Sequence, residues 1–255
     1  MRRGICVLIA LALCMLLCVA QAEEDGAAAT VSAAEQPAQP LGDVMNNGLK
    51  GVKDGARLVA QENYPLRGDG VFTTETKGVV IDGAGYNLKQ GHQSNSFWLS
   101  IPHGLTLENF GVEGIRMYGG MLTLRNCLVQ EGFYLSPETF YTKNLSIQVN
   151  LENTRVEIED GRLDLYAKDG YNALMYLDQE SVLTASMYVN AGSGSRVSIV
   201  NDGQMDVGES RFNANEGGEL TYSGSVTGDQ LSIGLWEGAT VPSMEALAWK
   251  NCISA

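Results

Sequence analysis

Four carboxylates and one guanidinium follow the apolar residue of a repeated phrase in this chain. They are Asp82, Glu108, Arg125, Glu152 and Asp178. If the phrase marks stacked layers of a β-structure, these side chains share one outward face, about 5 Å apart from layer to layer. Calcium binds several carboxylate oxygens, so Asp82, Glu108, Glu152 and Asp178 are candidate ligands of a cation site. The alternative, which the sequence favours, is a solvated face on which Arg125 relieves repulsion between carboxylates.

Aromatic side chains offer a second chemistry, the stacking of rings on sugars. Seven of the 10 tyrosines lie in the middle of the chain: Tyr118, Tyr134, Tyr141, Tyr166, Tyr171, Tyr176 and Tyr188. An outward row of such rings would form a glycan-binding face. The alternative is that the rings fill the core or cap loops, since tyrosine buries its ring and keeps its hydroxyl in water.

No catalytic residue is predicted. The two histidines, His92 and His103, lie in neither a nucleophile-elbow motif nor a zinc motif. We therefore predict no catalytic triad and no organic cofactor. Calcium is the one cofactor that the carboxylates leave open.

A repeat positions these residues. The phrase "LENFGV" begins at Leu107, and its copies begin at Ile81, Leu124, Leu151, Leu177 and Val207. Successive copies start 26, 17, 27, 26 and 30 residues apart, separated by short alternating apolar runs and glycines. Repeats of this length without helical periodicity indicate a solenoid, and we predict an all-β, right-handed parallel β-helix of about seven or eight coils.

Each position of the phrase has a physical reason. The leucine points inward and stacks on its counterpart in the next coil. Asn109, Asn126 and Asn153 occupy a sharp bend, and we predict that their amides bond one another as a structural ladder. The apolar residue that follows turns inward again: Val112, Val129, Val156, Val182 and Phe212.

The 17-residue interval is short for a coil, and it leaves two interpretations open. Either Gly119 and Gly120 close an unusually tight coil, or Leu124 lies out of register. A register slip of one residue would turn every side chain of that strand to the opposite face.

The ends of the chain differ from the repeat. Residues 1–22 have a basic start, an apolar run and a small-x-small cleavage site, so we predict a cleaved signal peptide. This implies a secreted or cell-envelope protein with no membrane span after cleavage. Residues 23–43 are predicted to be flexible, residues 44–234 to form the β-helix, and residues 235–255 to form a C-terminal cap or tail. Within the tail, "SMEALAW" is predicted to form a helical turn over the last coil.

The net charge limits the class of binding partner, and the cysteine content limits the number of disulfide bonds. The chain carries 17 basic and 30 acidic residues, for a net charge of −13; removal of Arg2 and Arg3 with the signal peptide makes it −15. Nucleic-acid binding needs a basic surface and is excluded. Cys127 and Cys252 are the two cysteines after residue 22, and the sequence leaves open whether they pair.

The chain resembles the secreted right-handed parallel β-helix proteins of the pectate-lyase-like superfamily. The resemblance rests on "VKDGARLVAQENYPL", then "KGVVIDGAGYNL", then the leucine-x-asparagine repeats, over roughly residues 49–228. It implies the fold, and it implies that a lyase would pair calcium with an arginine base such as Arg125. The hydrolases of this superfamily carry Asn-Thr-Asp, Asp-Asp, Gly-His-Gly and Arg-x-Lys motifs. Here Arg155 follows Asn-Thr and His103 stands in Pro-His-Gly, which argues against a hydrolase.

The residues therefore favour a non-catalytic extracellular protein whose extended surface binds a polysaccharide or a cell-surface partner. A polysaccharide lyase-like enzyme with a calcium-dependent site is the first alternative. A structural or adhesin-like element of the cell envelope is the second. The letters that carry the resemblance are set by coil geometry, which many unrelated functions share.

Overall fold

The computed structural model describes residues 38–42, 44, 49–66, 72–90, 97–137, 146–168, 170–244 and 247–254. The predicted signal peptide, residues 1–22, lies outside the described residues, as does most of the segment 23–43. The part of that segment that is described contains β1, which pairs with the next strand. The coil therefore begins before residue 44. Among the described residues, no helix is long and apolar enough to span a bilayer.

The described residues form 19 β-strands in one sheet, and every pairing is parallel. The strands are β1 (Gln39–Pro40), β2 (Arg57–Val59), β3 (Tyr64–Leu66), β4 (Phe72–Thr73), β5 (Val79–Asp82), β6 (Asn87–Gln90), β7 (Phe97–Glu108), β8 (Gly111–Arg125), β9 (Leu128–Leu135), β10 (Ile147–Glu152), β11 (Arg155–Ala167), β12 (Asn172–Leu177), β13 (Val182–Ala191), β14 (Arg196–Asn201), β15 (Gln204–Ala214), β16 (Glu219–Gly224), β17 (Val226–Leu235), β18 (Thr240–Met244) and β19 (Leu247–Ser254). They wind into a β-solenoid of about 7 turns, so the predicted all-β parallel coil is confirmed.

The inward leucines of the repeat form the centre of the core. Five of them pair from coil to coil and are fully buried: Ile81, Leu107, Leu124, Leu151 and Leu177. Each buried side chain of this size contributes roughly 1.5–3 kcal/mol through removal of apolar surface from water. The residues on either side of each leucine point outward, because successive side chains of a β-strand alternate between its two faces.

The 17-residue coil keeps its register. Leu107 pairs with Leu124, and Glu108 pairs with Arg125, so the interpretation in which Leu124 is out of register is wrong. Gly120 makes the tight coil possible: its φ is +97°, and a Cβ there would lie 2.0 Å from the carbonyl oxygen of Ile101. Glycine is required at this position for both reasons.

The predictions made from the two weaker copies of the phrase, at Leu177 and Val207, are wrong in detail. Val156 pairs with Leu183, so Leu183 rather than Val182 points inward, because the preceding turn is one residue longer than the bend at Asn153. In the next coil the partner of Leu177 is Asn201, not Val207. The phrase beginning at Val207 therefore belongs to a different strand of its coil.

The C-terminal segment continues the coil. Strand β18 pairs with β16, and β19 pairs with β17, both in parallel. The predicted helical turn over "SMEALAW" is therefore replaced by strand at Met244 and from Leu247 onward. The β-solenoid therefore extends beyond the predicted boundary at residue 234, because β18 and β19 add parallel strands to β16 and β17.

Candidate functional site

The three asparagines of the repeat lie at the same corner of three consecutive coils. Their φ values are +57°, +53° and +46° for Asn109, Asn126 and Asn153, which is the left-handed region that asparagine tolerates better than most residues. Asn126 Nδ2 donates to Asn109 Oδ1 at 3.2 Å, and Asn153 Nδ2 donates to Asn126 Oδ1 at 2.6 Å. We call these three residues the asparagine ladder. It ends on Asp82, whose Oδ1 accepts from Asn109 Nδ2 at 2.8 Å.

The carboxylates proposed as cation ligands lie on one face, but arginines already contact them. Arg57 on β2 donates to Asp82 Oδ2 at 2.7 Å and also to Glu108. Arg125 contacts Glu108 Oε2 at 3.4 Å and Glu152 Oε2 at 2.7 Å. We call this row, from Arg57 to Glu152, the charged column. Its guanidinium groups alternate with carboxylates.

Hydrogen bonds favour the charged forms of two members of the charged column, Asp82 and Arg125. Burial alone would raise the pKa of Asp82, but hydrogen bonds from Asn109, the Ala84 amide and Arg57 outweigh it, so the pKa of Asp82 is lowered. The hydrogen bond to Glu152 raises the pKa of Arg125.

The fourth candidate ligand, Asp178, has a different role from the charged column. Both of its carboxylate oxygens lie 3.0 Å from the backbone nitrogen of Asn153, and its Oδ1 accepts from Ser181 Oγ at 2.6 Å. Within the described residues, no group of three or more His, Cys, Asp or Glu side chains is placed to hold a metal ion. Calcium in the charged column would have to displace Arg57 and Arg125.

A second outward face carries one tryptophan and three tyrosines, each of them partly exposed. We call it the aromatic face, and it consists of Trp98, Arg116, Tyr134, Arg162, Asp164, Tyr166, Tyr188 and Arg211. Five of these residues follow one another in coil-to-coil pairing along a single column: Arg116, Tyr134, Asp164, Tyr188 and Arg211. Trp98 pairs with Arg116 and extends the column by one coil. Successive coils rise by about 4.8 Å, so the six positions span roughly 24 Å.

Three tyrosine rings on this face lie side by side. The ring centroids of Tyr134 and Tyr166 are 5.8 Å apart, and those of Tyr166 and Tyr188 are 5.5 Å apart. All three tyrosines are half-buried, so each ring is held by packing while part of it meets solvent. Rings at this separation attract one another and hold a fixed surface.

Two arginines lie over the rings. The Arg116 guanidinium carbon is 5.7 Å from the Trp98 ring centroid and 5.2 Å from that of Tyr134. The Arg162 guanidinium carbon is 5.4 Å from the Tyr188 centroid. At these distances a cation is attracted to the ring face, and the guanidinium is oriented before any ligand arrives.

Asp164 lies at the centre of the aromatic face and is buried, with 7% of its surface exposed. Burial raises its pKa, and Arg162, whose Nε lies 2.7 Å from Asp164 Oδ1, offsets this only in part. Burial, together with the Asp164 carboxylate, raises the pKa of Tyr166 to about 12. The Tyr166 hydroxyl therefore stays protonated and can donate a hydrogen bond throughout the physiological range.

Sequence reasoning named part of this face and missed the rest. Tyr134, Tyr166 and Tyr188 belong to it, whereas Tyr118 is buried against Trp98 and Tyr176 lies on another face, bonded to Asp202. Tyr171 lies in a turn, and Tyr141 is outside the described residues.

The missed members of the face are Trp98, Arg116, Arg162, Asp164 and Arg211. Alternation places Asp164 on the same side of its strand as Tyr166 in "LDLY", which is a readable signal. The arginines can be placed beside the tyrosines only when the pairing between coils is known, and no single segment of the sequence determines that pairing.

Cys127 is a buried free thiol. Its Sγ lies 3.4 Å from the carbonyl oxygens of Leu107 and Arg125, and burial raises its pKa to about 11. The bridge to Cys252 that the sequence leaves open is therefore not formed. A thiol in this state packs as a small apolar side chain and has little nucleophilic character.

Comparisons with known proteins add no constraint on the site: no family model, curated protein or solved structure matches the chain.

Proposed function

We propose that this protein is a non-catalytic, secreted β-solenoid that binds glycans through the aromatic face. The observation that carries the proposal is the row formed by Tyr134, Tyr166 and Tyr188, with ring centroids 5.5–5.8 Å apart on consecutive coils. Sugar rings present apolar C–H faces, and half-exposed aromatic rings offer a matching apolar surface with little conformational entropy left to lose.

The chemistry around the rings supports a sugar ligand over a purely apolar one. The Tyr166 hydroxyl, which stays protonated, can donate a hydrogen bond, and the Arg162 guanidinium lies at the edge of the same row, where Asp164 holds its Nε at 2.7 Å. A mixture of ring faces and fixed polar groups is how proteins bind a molecule rich in hydroxyls. The repeat of the solenoid lengthens the binding surface, because each coil adds one more layer along which an extended sugar chain can lie.

Secretion and membership of the pectate-lyase-like β-helix proteins are parts of the same proposal. They rest on the signal-peptide pattern of residues 1–22 and on the resemblance of residues 49–228. Each of the four carboxylates suggested for a lyase-type calcium site has protein partners, among them Arg57, Arg125 and the Asn153 amide. This favours binding over metal-assisted elimination as the activity of this chain.

The test is a glycan array probed with the mature protein, followed by calorimetry on the glycans that bind. Replacing Tyr166 with alanine is expected to weaken binding about 10-fold, as expected for a central aromatic contact. Tyr86→Ala is the matched control, because Tyr86 is 38% exposed and lies beside the asparagine ladder, away from the aromatic face. Thermal melts of both variants show whether the fold is intact, and Tyr166→Leu keeps apolar bulk if Tyr166→Ala melts early. An array without binding, or equal affinities for Tyr166→Ala and the parent, would contradict the proposal.

A further inference from the structure

The two ends of the β-solenoid differ in how much apolar surface they expose. At the N-terminal end, the Val44 amide donates to the Leu41 carbonyl and the Leu49 amide donates to the Val44 carbonyl, which holds this segment against the core. Leu41 and Leu49 are each only 1% exposed. At the C-terminal end, Leu235 is 49% exposed and Trp236 is 50% exposed. The described residues therefore cover the core at the first end and leave apolar side chains in solvent at the second.

Leu235 is exposed because no further coil lies over it. Ala191 pairs with Ala214, and Ala214 pairs with Leu235, so the three residues form one column across successive coils. Both alanines are fully buried. On the far side of Leu235 the next strand, β19, ends at Ser254, which lies opposite Ile233. The column thus ends on a leucine that has no partner above it among the described residues.

The same end presents unpaired backbone groups. Strands β18 and β19 pair with β16 and β17 on one side, and no described strand pairs with their other side. An edge of this kind is a template for another strand, because its outward N–H and C=O groups lack partners. Pro242 removes one donor from β18, whereas β19 has eight residues and no proline. Strand β19 is therefore the better edge for pairing with another chain.

Charge favours a second copy of this chain as the partner at this end. The net charge of −13 makes two copies repel, and salt at physiological concentration screens this repulsion over about 8 Å. The described residues from Ile233 to Ser254 contain one acid, Glu237, and one base, Lys250, so this end is close to neutral. Contact between two such ends also keeps the acidic sides apart, since about 7 turns at about 4.8 Å extend each copy roughly 34 Å away from the contact.

The area of this end suits a reversible dimer. Arg196 pairs with Glu219, 23 residues later, so one coil has a perimeter of about 75 Å at about 3.3 Å per residue. With its side chains, such a coil has a cross-section of roughly 600 Å². Two copies in contact then bury roughly 1,200 Å², which is the lower limit for specific, stable interfaces.

We propose that two copies of this chain associate end to end through their C-terminal coils and form a closed dimer with two-fold symmetry. The symmetry places β19 antiparallel to β19 of the second copy and buries Leu235 and Trp236 of both copies. Because Leu41 and Leu49 close the N-terminal end, no third copy adds there, and the assembly stops at two. The inference is independent of the proposed function, since it uses none of the residues of the aromatic face.

Sedimentation velocity of the mature protein, at concentrations from about 1 to about 100 μM, tests the inference in the affinity range expected for a small interface. The mass is expected to rise from monomer to dimer and no further. Leu235→Glu and Trp236→Glu each place a carboxylate in the contact, opposite its own copy, and are each expected to weaken the dimer at least about 10-fold.

Met121→Glu is the matched control. Met121 is 42% exposed, lies on β8 in the middle of the β-solenoid, and makes the same change in charge. Thermal melts check that all three variants stay folded, which their exposed positions favour. Small-angle X-ray scattering of the parent adds the shape, because an end-to-end dimer has about twice the axial length of the monomer, whereas a side-by-side dimer keeps that length.

A dimer of doubled length that both end variants weaken and Met121→Glu retains supports the inference. A parent that stays monomeric at every concentration overturns it, as does a dimer that withstands both end variants or is weakened equally by Met121→Glu. Growth beyond the dimer shows that both ends associate and overturns the closed assembly. Glycan binding by the aromatic face is measured separately, so failure of the dimer leaves the proposed function standing.

Discussion

Replacement of Asn126 tests the asparagine ladder at its middle position. Asn126 both donates to Asn109 and accepts from Asn153, so one substitution removes two side-chain hydrogen bonds. Asn126 is exposed, which puts each bond near the low end of the usual range, about 0.5–1 kcal/mol. Its φ of +53° adds a second effect, because an L-residue with a plain Cβ costs about 1–2 kcal/mol in that conformation. The sum for Asn126→Ala is a loss of about 2–4 kcal/mol.

Asn126→Gly separates the two effects. Glycine adopts a positive φ without the steric penalty, but it lowers stability slightly through its greater freedom in the unfolded chain. We expect Asn126→Gly to lose the two hydrogen bonds and to carry this small entropic cost, which leaves it about 1 kcal/mol more stable than Asn126→Ala. Urea denaturation followed by circular dichroism gives the free energy of unfolding of each variant. Equal stability of the alanine variant and the parent, or a glycine variant less stable than the alanine variant, would refute the reasoning.

Three further predictions concern the tight coil, the charged column and the buried thiol. Gly120→Ala is expected to destabilise the protein by about 3 kcal/mol or more in urea denaturation, since its Cβ would lie 2.0 Å from the Ile101 carbonyl oxygen. Gly132→Ala, with open space around the new methyl group, should stay within about 0.5 kcal/mol of the parent; equal effects would contradict the geometry. Because the pKa of Asp82 is lowered on folding, its stabilisation is present above about pH 4 and is lost as pH falls through the folded pKa. The melting temperature of the parent should therefore fall more steeply below pH 4 than that of Asp82→Asn, and parallel profiles would be inconsistent with this. Cys127, with a pKa of about 11, should resist alkylation at pH 8 until the protein unfolds, as mapped by mass spectrometry; rapid labelling of the native protein would show an accessible thiol.

The repeat made the core and the asparagine ladder predictable, because the choice of residue at each of its positions is set by the local backbone. An inward leucine and an asparagine with positive φ recur at Leu107–Asn109, Leu124–Asn126 and Leu151–Asn153, and each pair obeys the same pleat and the same bend. The later coils could not be predicted in this way. Asn201 takes the place of leucine in the inward column because Asn201 Nδ2 lies within hydrogen-bond distance of the Tyr222 hydroxyl and the Ser225 carbonyl.

Only some of the residue types in the candidate site could be predicted from the sequence, and their arrangement could not. The sequence left open whether its tyrosines form an outward face or fill the core, and Tyr134, Tyr166 and Tyr188 lie in one outward row. Which outward residues adjoin them depends on insertions elsewhere in each coil, such as the register shift between Glu157 and Arg162. The outward column around Arg125 was placed correctly because its pairing follows directly from the leucines. What the sequence could not supply was Arg57, which lies outside the repeat and contacts two of the carboxylates.

Hydroxyl-radical footprinting of the mature protein, with and without a saturating oligosaccharide identified on the glycan array, tests the central claim most directly. The claim predicts that the ligand protects Tyr134, Tyr166 and Tyr188 from oxidation, while Tyr86 and Tyr176 on other faces react as before. Protection centred on Tyr86 or Tyr176, or unchanged oxidation of the aromatic face at saturation, would contradict it.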